Sequence, residues 1–247
     1  MVRTRLDKLV LERGLASTRE KAQALILAGQ IHVNGQPATK AGTLVAADAR
    51  VELVGEPPRY VSRGGLKLEG ALRDFSVDVT GVVCLDIGAS TGGFTDCLLQ
   101  HGAARVYAVD VGKGQLDWKL RQDARVQVRE GLNARYLKPE DLGEPVDLVT
   151  IDVAFISVEK ILPAAIPCAK PAAVFLILVK PQFELSRREV GKGGIVRDPA
   201  LRQKAVERIR RAAAALGLAE IDVRESCLPG AEGNREFFLR ARLPASV

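Results

Sequence analysis

The stretch Cys84-Leu85-Asp86-Ile87-Gly88-Ala89-Ser90-Thr91-Gly92-Gly93-Phe94 decides how this chain is read. It has the form of a buried strand that runs into a glycine-rich turn and then opens a helix. Glycines serve such a turn because the backbone can take positive φ there and approach a ligand closely. The spacing of Gly88, Gly92 and Gly93 does not fit G-x-G-x-x-G, so a dinucleotide fingerprint is a poor match. A Walker lysine is missing after the glycines, which disfavours a phosphate cradle. Asp110 lies 22 residues after Gly88, at the end of the next strand in VYAVDVG. A carboxylate there can accept hydrogen bonds from two ribose hydroxyls. Asp86, just before the turn, suits a ligand with a cationic end. S-adenosylmethionine carries an ammonium, a sulfonium and an adenosine ribose, and fits these acids better than NAD does. Taken alone, the loop also reads as a tight structural turn.

Outward from this stretch, from about Ser62, strands alternate with helical segments. The strands are expected at Val82 to Ile87, Arg105 to Val109, Arg125 to Val128, Val146 to Val153, Ala173 to Val179, Ala219 to Glu225 and Phe237 to Leu243. Helices fall between them, including Gly64 to Phe75 and Pro199 to Leu216. The pattern predicts an α/β fold, a doubly wound, mostly parallel Rossmann-like sheet with helices on both faces. The loop Ser226 to Arg235 is too short for a helical crossover, so the last strand is expected antiparallel. Parallel strands present their C-terminal ends at one rim, where ligands bind. Asp152 ends VDLVTIDV and Lys180 ends AAVFLILVK, while Glu236 begins the antiparallel EFFLRARL, so all three converge there. Burial disfavours a lysine's charged form and carboxylates favour it, so Asp152 and Glu236 are expected to hold Lys180 in place. Separate strand-end charges in solvent are the plainer alternative.

The chain has 247 residues, 36 Lys and Arg against 30 Asp and Glu, and a net charge of +6. Residues 1–50 hold eight basic and four acidic side chains, a net of +4. Hydrophobic residues make up 47% and charged residues 27%, which excludes generic disorder. The longest apolar run, Ala172 to Val179, is eight residues, against about 18 for a membrane-spanning helix. Arg3, Arg5 and Lys8 precede no apolar stretch of signal-peptide length, and a cytoplasmic protein without membrane contact is expected. Cys84, Cys97, Cys168 and Cys227 are spaced by 13, 71 and 59 residues, which fits no metal or redox motif. They are expected to be buried, reduced and structural. His32 and His101 lack partners for metal or triad chemistry, so no metal is expected. Leu6, Leu9 and Val10 recur at helical spacing and stop at Gly14, and Ser17 with Glu20 forms a capping box opening a helix over Thr18 to Ala28. Ile31 and Val33 lead into the hairpin signal Asn34-Gly35, and Val51 and Leu53 give a further strand before Gly55-Glu56-Pro57-Pro58.

The run RLDKLVLERGLASTREKAQALILAGQIHVNG resembles the small RNA-binding module named after ribosomal small-subunit protein four. The resemblance implies that Arg3, Arg5, Arg19 and Lys21 meet RNA phosphates, where a solvated helix face is the alternative. The whole chain resembles the TlyA-type, or hemolysin A, family of ribosomal RNA 2′-O-methyltransferases, in which that module is fused to an FtsJ-like domain. The matching text includes YVSRGGLKLEGAL, LDIGASTGGFTDCLL, VDVGKGQLDWKLR, NAR, DLVTIDVAFIS, LVKPQFE, GGIVRDP and GNREFF. It implies an α+β RNA-binding domain over 1–56, a linker over 57–62 and a methyltransferase domain over 63–247. The FtsJ-like Lys-Asp-Lys-Glu tetrad lands on Lys67, Asp152, Lys180 and Glu236. Only the resemblance selects Lys67, since topology alone does not bring its helix to the rim. S-adenosylmethionine would contact Asp86, Gly88, Ala89, Ser90, Thr91, Gly92, Gly93, Phe94, Asp110, Asn133 and Asp152. Arg63 and the segment Arg187 to Arg197, with Arg187, Arg188 and Lys192, would add RNA contacts, unless that segment is only a mobile loop. The implied substrates are ribosomal RNA or ribosomal subunits, methylated at cytidine 2′-hydroxyls of the small-subunit RNA, the large-subunit RNA or both; a monomer is favoured as the oligomeric state. A membrane-active hemolysin and a non-catalytic RNA-binding factor are the alternatives. The missing span and amphipathic helix weigh against the first, and the intact tetrad and glycine loop against the second.

Overall fold

The structure is a computed structural model. It describes residues 3–16, 18–27, 29–55, 58–230 and 232–245, with the Lys192 side chain left aside. The chain divides into two compact units, 1–57 and 58–247.

The first unit runs β1 (Arg3–Arg5), α1 (Leu6–Glu12), α2 (Arg19–Leu27), β2 (Ile31–Val33), β3 (Gln36–Pro37), β4 (Leu44–Ala46) and β5 (Val51–Leu53). The expected helices, hairpin and final strand are present. Asn34 and Gly35 both take positive φ, 50° and 81°, as a tight two-residue hairpin turn requires. The small pair of β1 with β4 was not legible, because Arg-Thr-Arg carries no apolar alternation. Ser17 and Ala28 lie outside the described residues. The described start of α2 is capped by Thr18, whose Oγ1 accepts the Lys21 amide at 3.2 Å. Leu6, Val10, Ala22, Ile26 and Ile31 close the core.

Asp7 is the organising charge of this unit. Its side chain is fully buried, yet it accepts from Arg5 at 2.9 and 3.0 Å, Arg19 at 3.1 Å and Gln23 at 3.0 Å. Arg5 and Arg19, two of the arginines named as RNA contacts, are therefore steered by one carboxylate while staying about half exposed.

The second unit contains α3 (Gly64–Asp74), β6 (Val83–Ile87), α4 (Gly93–Gln100), β7 (Arg105–Asp110), α5 (Trp118–Gln122), β8 (Val126–Glu130) and β9 (Val146–Ile151). It continues with α6 (Leu162–Ala165), β10 (Ala169–Val179), α7 (Pro181–Glu184), α8 (Pro199–Ala215), β11 (Ala219–Glu225) and β12 (Phe237–Arg242). The seven strands lie in the order β11-β12-β10-β9-β6-β7-β8. The pairings among β10, β9, β6, β7 and β8 are parallel, and β12 is antiparallel to both β10 and β11. This is the expected mixed sheet. β10 starts four residues before the expected Ala173, through an irregularity where Ala172 takes a φ of 65°. Residues alternate between two cores along β10: Phe175, Ile177 and Val179 enter one, Leu176 and Leu178 the other.

Two expectations are corrected. The segment read as a linker belongs to the second unit from Pro58 onward: Tyr60 is buried, and the Val61 amide donates to Asp96 at 2.8 Å. Pro57 lies outside the described residues. Cys84, Cys97 and Cys168 are buried and free as expected, but Cys227 is exposed, since it sits on the open turn that follows β11.

Arg5 draws the Asp7 carboxyl well below the usual carboxylate range, against the opposing effect of burial. A depressed value means that this stabilisation is complete above the unfolded carboxylate's ordinary pKa and is lost only as the pH falls through the folded one. Asp7→Asn in the full chain should lower hydrogen-exchange protection of α1 and α2 by about 1–3 kcal/mol at neutral pH. Unchanged protection would contradict the role given to Asp7.

Candidate active site

The site is built where β6, β9 and β10 end. Beyond Ile87 the chain turns at Gly88, with φ 85°, and a Cβ there would lie 2.3 Å from the carbonyl oxygen of Asp152. The turn can cross the end of β9 only without a side chain. A Cβ at Gly93 would lie 2.2 Å from Ser62 Oγ and 2.9 Å from the Gly65 nitrogen. This close approach of α4 to the start of α3 is what carries Lys67 to the rim.

The four expected tetrad residues form two ion pairs. Lys67 Nζ donates to Glu236 Oε2 at 2.5 Å, and both groups are nearly solvent-free, 9% and 3% exposed. Lys180 Nζ stands 2.5 Å from Asp152 Oδ1. The two side chains, 14% and 21% exposed, form a close, partly buried ion pair. The expectation that Glu236 joins Asp152 on Lys180 is corrected: Glu236 shares a strand face with Phe238, in the core that α3 also packs against, and Lys67 reaches it from there. Lys67, Asp152, Arg63, Ala89, Ser90 and Phe94 are among the residues lining a cavity of about 180 Å³.

Other expected residues stand at different depths. Gly88, Thr91 and Gly93 also line the cavity. Gly92 faces Leu116 and Leu120 instead. Asp110 braces the turn, accepting from the Ser90 amide at 2.8 Å and the Gly112 amide at 2.6 Å. Asn133 is exposed after β8 and caps a short turn by accepting from Arg135 N at 3.1 Å. Asp86 is not at the cavity wall. It is fully buried beneath the turn, and Thr95 and Thr150 donate to its two oxygens at 2.7 and 3.0 Å. Burial pushes its carboxyl up to about 7, against the two threonine bonds.

Of the RNA-directed residues, Arg3, Arg187 and Arg188 are exposed and Lys21 is half-buried. The segment Arg187 to Arg197 is tied down by Asn234, which accepts from Val196 N at 2.9 Å and donates to the Gly194 carbonyl at 2.8 Å. Asn234 is buried and was not singled out, although it lies in GNREFF two residues before Glu236. Phe155 was missed as well. It is 92% exposed, takes a φ of 63°, and tilts against Phe183 with centroids 5.2 Å apart. A lone aromatic at positive φ leaves no periodic signal in a sequence. Among the described residues, no group of three or more His, Cys, Asp or Glu is placed to hold a metal, and no helix is long and apolar enough to cross a membrane.

The mixed sheet, with a glycine turn and an acid at successive strand ends, defines a Rossmann-like methyltransferase. Residues 60–243 match the FtsJ-like methyltransferase family, and residues 4–51 match the S4 domain. The chain belongs to the FtsJ-like methyltransferase family and carries an S4 domain at its N-terminus. It is 49% identical to the 16S/23S rRNA (cytidine-2′-O)-methyltransferase TlyA of Mycobacterium tuberculosis, over 97% of this chain and 90% of that protein. It is 43% identical to hemolysin A of Brachyspira hyodysenteriae, over 94% and 97% of the two chains. A solved structure named "Putative hemolysin" from Streptococcus thermophilus superposes with a TM-score of 0.78 at 42% identity, covering 100% of this chain and 90% of that one.

Because Asp86 keeps its proton to about pH 7 in the fold, whereas an unfolded aspartate loses it near pH 4, the folded state gains relative stability as the pH falls between these values. The melting temperature of the parent relative to Asp86→Asn should therefore rise from pH 8 to pH 5. A pH-independent difference would contradict the buried, partly protonated carboxyl.

Proposed function

We propose that this chain methylates ribose 2′-hydroxyls, at cytidine, in the RNA of the small or large ribosomal subunit, acting as a cytoplasmic monomer with S-adenosylmethionine. The observation that carries the proposal is the placing of Lys67, held by Glu236, and of Asp152, which holds Lys180, on the wall of a cavity that the glycine turn also lines. The residues present fit the cofactor. The turn, with no room for a Cβ at Gly88 or Gly93, walls the cavity with Ala89, Ser90 and Thr91, the Asp152 carboxylate on the same wall suits a cationic group, and Asp110 suits ribose hydroxyls. S-adenosylmethionine, when bound, supplies an electrophilic methyl group on a sulfonium.

The remaining work falls to the chain. A ribose hydroxyl is a poor nucleophile at neutral pH, so charge growing on its oxygen needs a fixed positive partner. Lys180 Nζ, held by Asp152, supplies that partner and orients the hydroxyl. Lys67, held by Glu236, adds a second fixed charge at the same cavity. Arg3, Arg5, Arg19 and Lys21 supply phosphate contacts, joined by Arg63, Arg187, Arg188 and Lys192. Phe155 presents an exposed ring on which an unstacked base can lie. The same activity in the M. tuberculosis relative, at 49% identity, supports the substrate assignment.

Labelled methyl groups should pass from the cofactor into ribosomal subunits of a strain lacking these modifications. Lys180→Ala should keep cofactor affinity and lose on the order of 100-fold or more in kcat. Retained turnover would remove Lys180 from the chemistry. The double variant Arg5→Ala/Arg19→Ala should reduce the slope of log affinity against log salt by about 1 to 2. An unchanged slope would show that neither arginine meets phosphate.

A further inference from the structure

The ladder between β9 and β10 ends at the pair Ile151 and Ile177, and that between β10 and β12 ends at Val179 and Phe237. The Asp152 amide is still held by the Ile87 carbonyl of β6 at 2.9 Å, but Lys180 lies beyond both ladders of β10, so these ladders alone do not fix its separation from Asp152. A buried carboxylate bridges the two emerging segments. Glu184, at the end of α7 and one turn after Lys180, is only 1% exposed. Its Oε2 accepts from Ser157 Oγ at 2.5 Å and its Oε1 from the Val158 amide at 2.9 Å. Ser157 and Val158 close the loop that leaves β9 at Asp152. Arg208 of α8 secures the far side, donating to the Glu184 carbonyl at 2.7 Å and to Glu159 at 2.6 and 2.9 Å. Phe155 and Phe183 meet across the same two segments.

We propose that Glu184 is a positioning residue for methyl transfer: through Ser157 and Val158 it locks the Lys180 segment against the Asp152 loop. A buried carboxylate is costly unless hydrogen-bonded, and nothing in the packing of an apolar core calls for one here. Its position bridging two segments that each carry a reactive group supplies the reason. Burial also pushes the Glu184 carboxyl upward, while Ser157 and Val158 hold it down, so the bridge stands at the balance of desolvation and hydrogen bonding. Neither Glu184 nor Ser157 lines the cavity. Loss of the bridge should therefore lower the rate of the chemical step by more than it weakens cofactor or RNA binding.

The inference rests on Lys180 acting in methyl transfer, so Lys180→Ala is measured in the same series. In the full chain, Glu184→Ala should lower single-turnover methylation of ribosomal subunits by about tenfold or more, since a displacement of an ångström can cost on the order of 100-fold. Cofactor Kd and RNA KM should change by a smaller factor than the rate, and Glu184→Gln, which still accepts from Val158 N, should recover most of the rate. Ser157→Ala removes one of the two bonds and should give a smaller loss in kcat alone; it carries the test if Glu184→Ala does not fold. An inactive Lys180→Ala beside fully active Glu184→Ala and Ser157→Ala would overturn the bridge and leave the site intact. Losses that appear in Kd or KM rather than kcat would likewise overturn it. A fully active Lys180→Ala would overturn the reading of the site itself, and the inference with it.

Discussion

Two ammonium groups and two carboxylates share one rim, paired as Lys67 with Glu236, which are buried, and Lys180 with Asp152, which are partly buried. Removing such charges from water is costly, and their mutual attraction repays the cost only while every member has its partner. Deleting one member leaves its partner's charge uncompensated, so each pair is kept or lost as a unit. Much of the second unit serves to deliver them. β9 and β10 bring Asp152 and Lys180 to the carboxyl edge, the reversed direction of β12 brings the start of that strand, with Glu236, to the same edge, and the glycine contacts between α3 and α4 bring Lys67.

The acids around this rim differ by environment and not by type. Asp86 and Asp110 are both strand-end aspartates in the sequence, yet Asp86 is sealed under the turn by two threonines and Asp110 braces backbone amides. Glu184 is a third case, a carboxylate whose partners belong to a loop rather than to a ligand. In the first unit Asp7 organises cations in a comparable way, fixing two arginines of the basic excess while leaving their heads accessible.

The sheet was legible because its signal is periodic. Continuous apolar runs such as AAVFLILV, alternating with helical segments, and strand-ending polar residues place Asp152, Lys180 and Glu236 from topology alone. What escaped depends on side chains that meet across the fold. The pairing of Glu236 with Lys67 follows from the Gly93 contact with α3, which no local pattern encodes. Glu184, Ser157 and Asn234 were hidden in segments whose matches to the family were visible but whose hydrogen bonds were not. The exposure of Cys227 differs from the expected arrangement at a single residue, the scale at which local patterns are least informative.

The most direct measurement concerns the atom that receives the methyl group. Ribosomal subunits lacking the modification would be incubated with the protein and cofactor labelled in its methyl group, and the recovered RNA hydrolysed in alkali. A 2′-O-methyl ribose blocks cleavage of its own phosphodiester, so the account predicts label in alkali-stable dinucleotides whose first member is cytidine. Label confined to alkali-released mononucleotides would place the methyl on a base and contradict it.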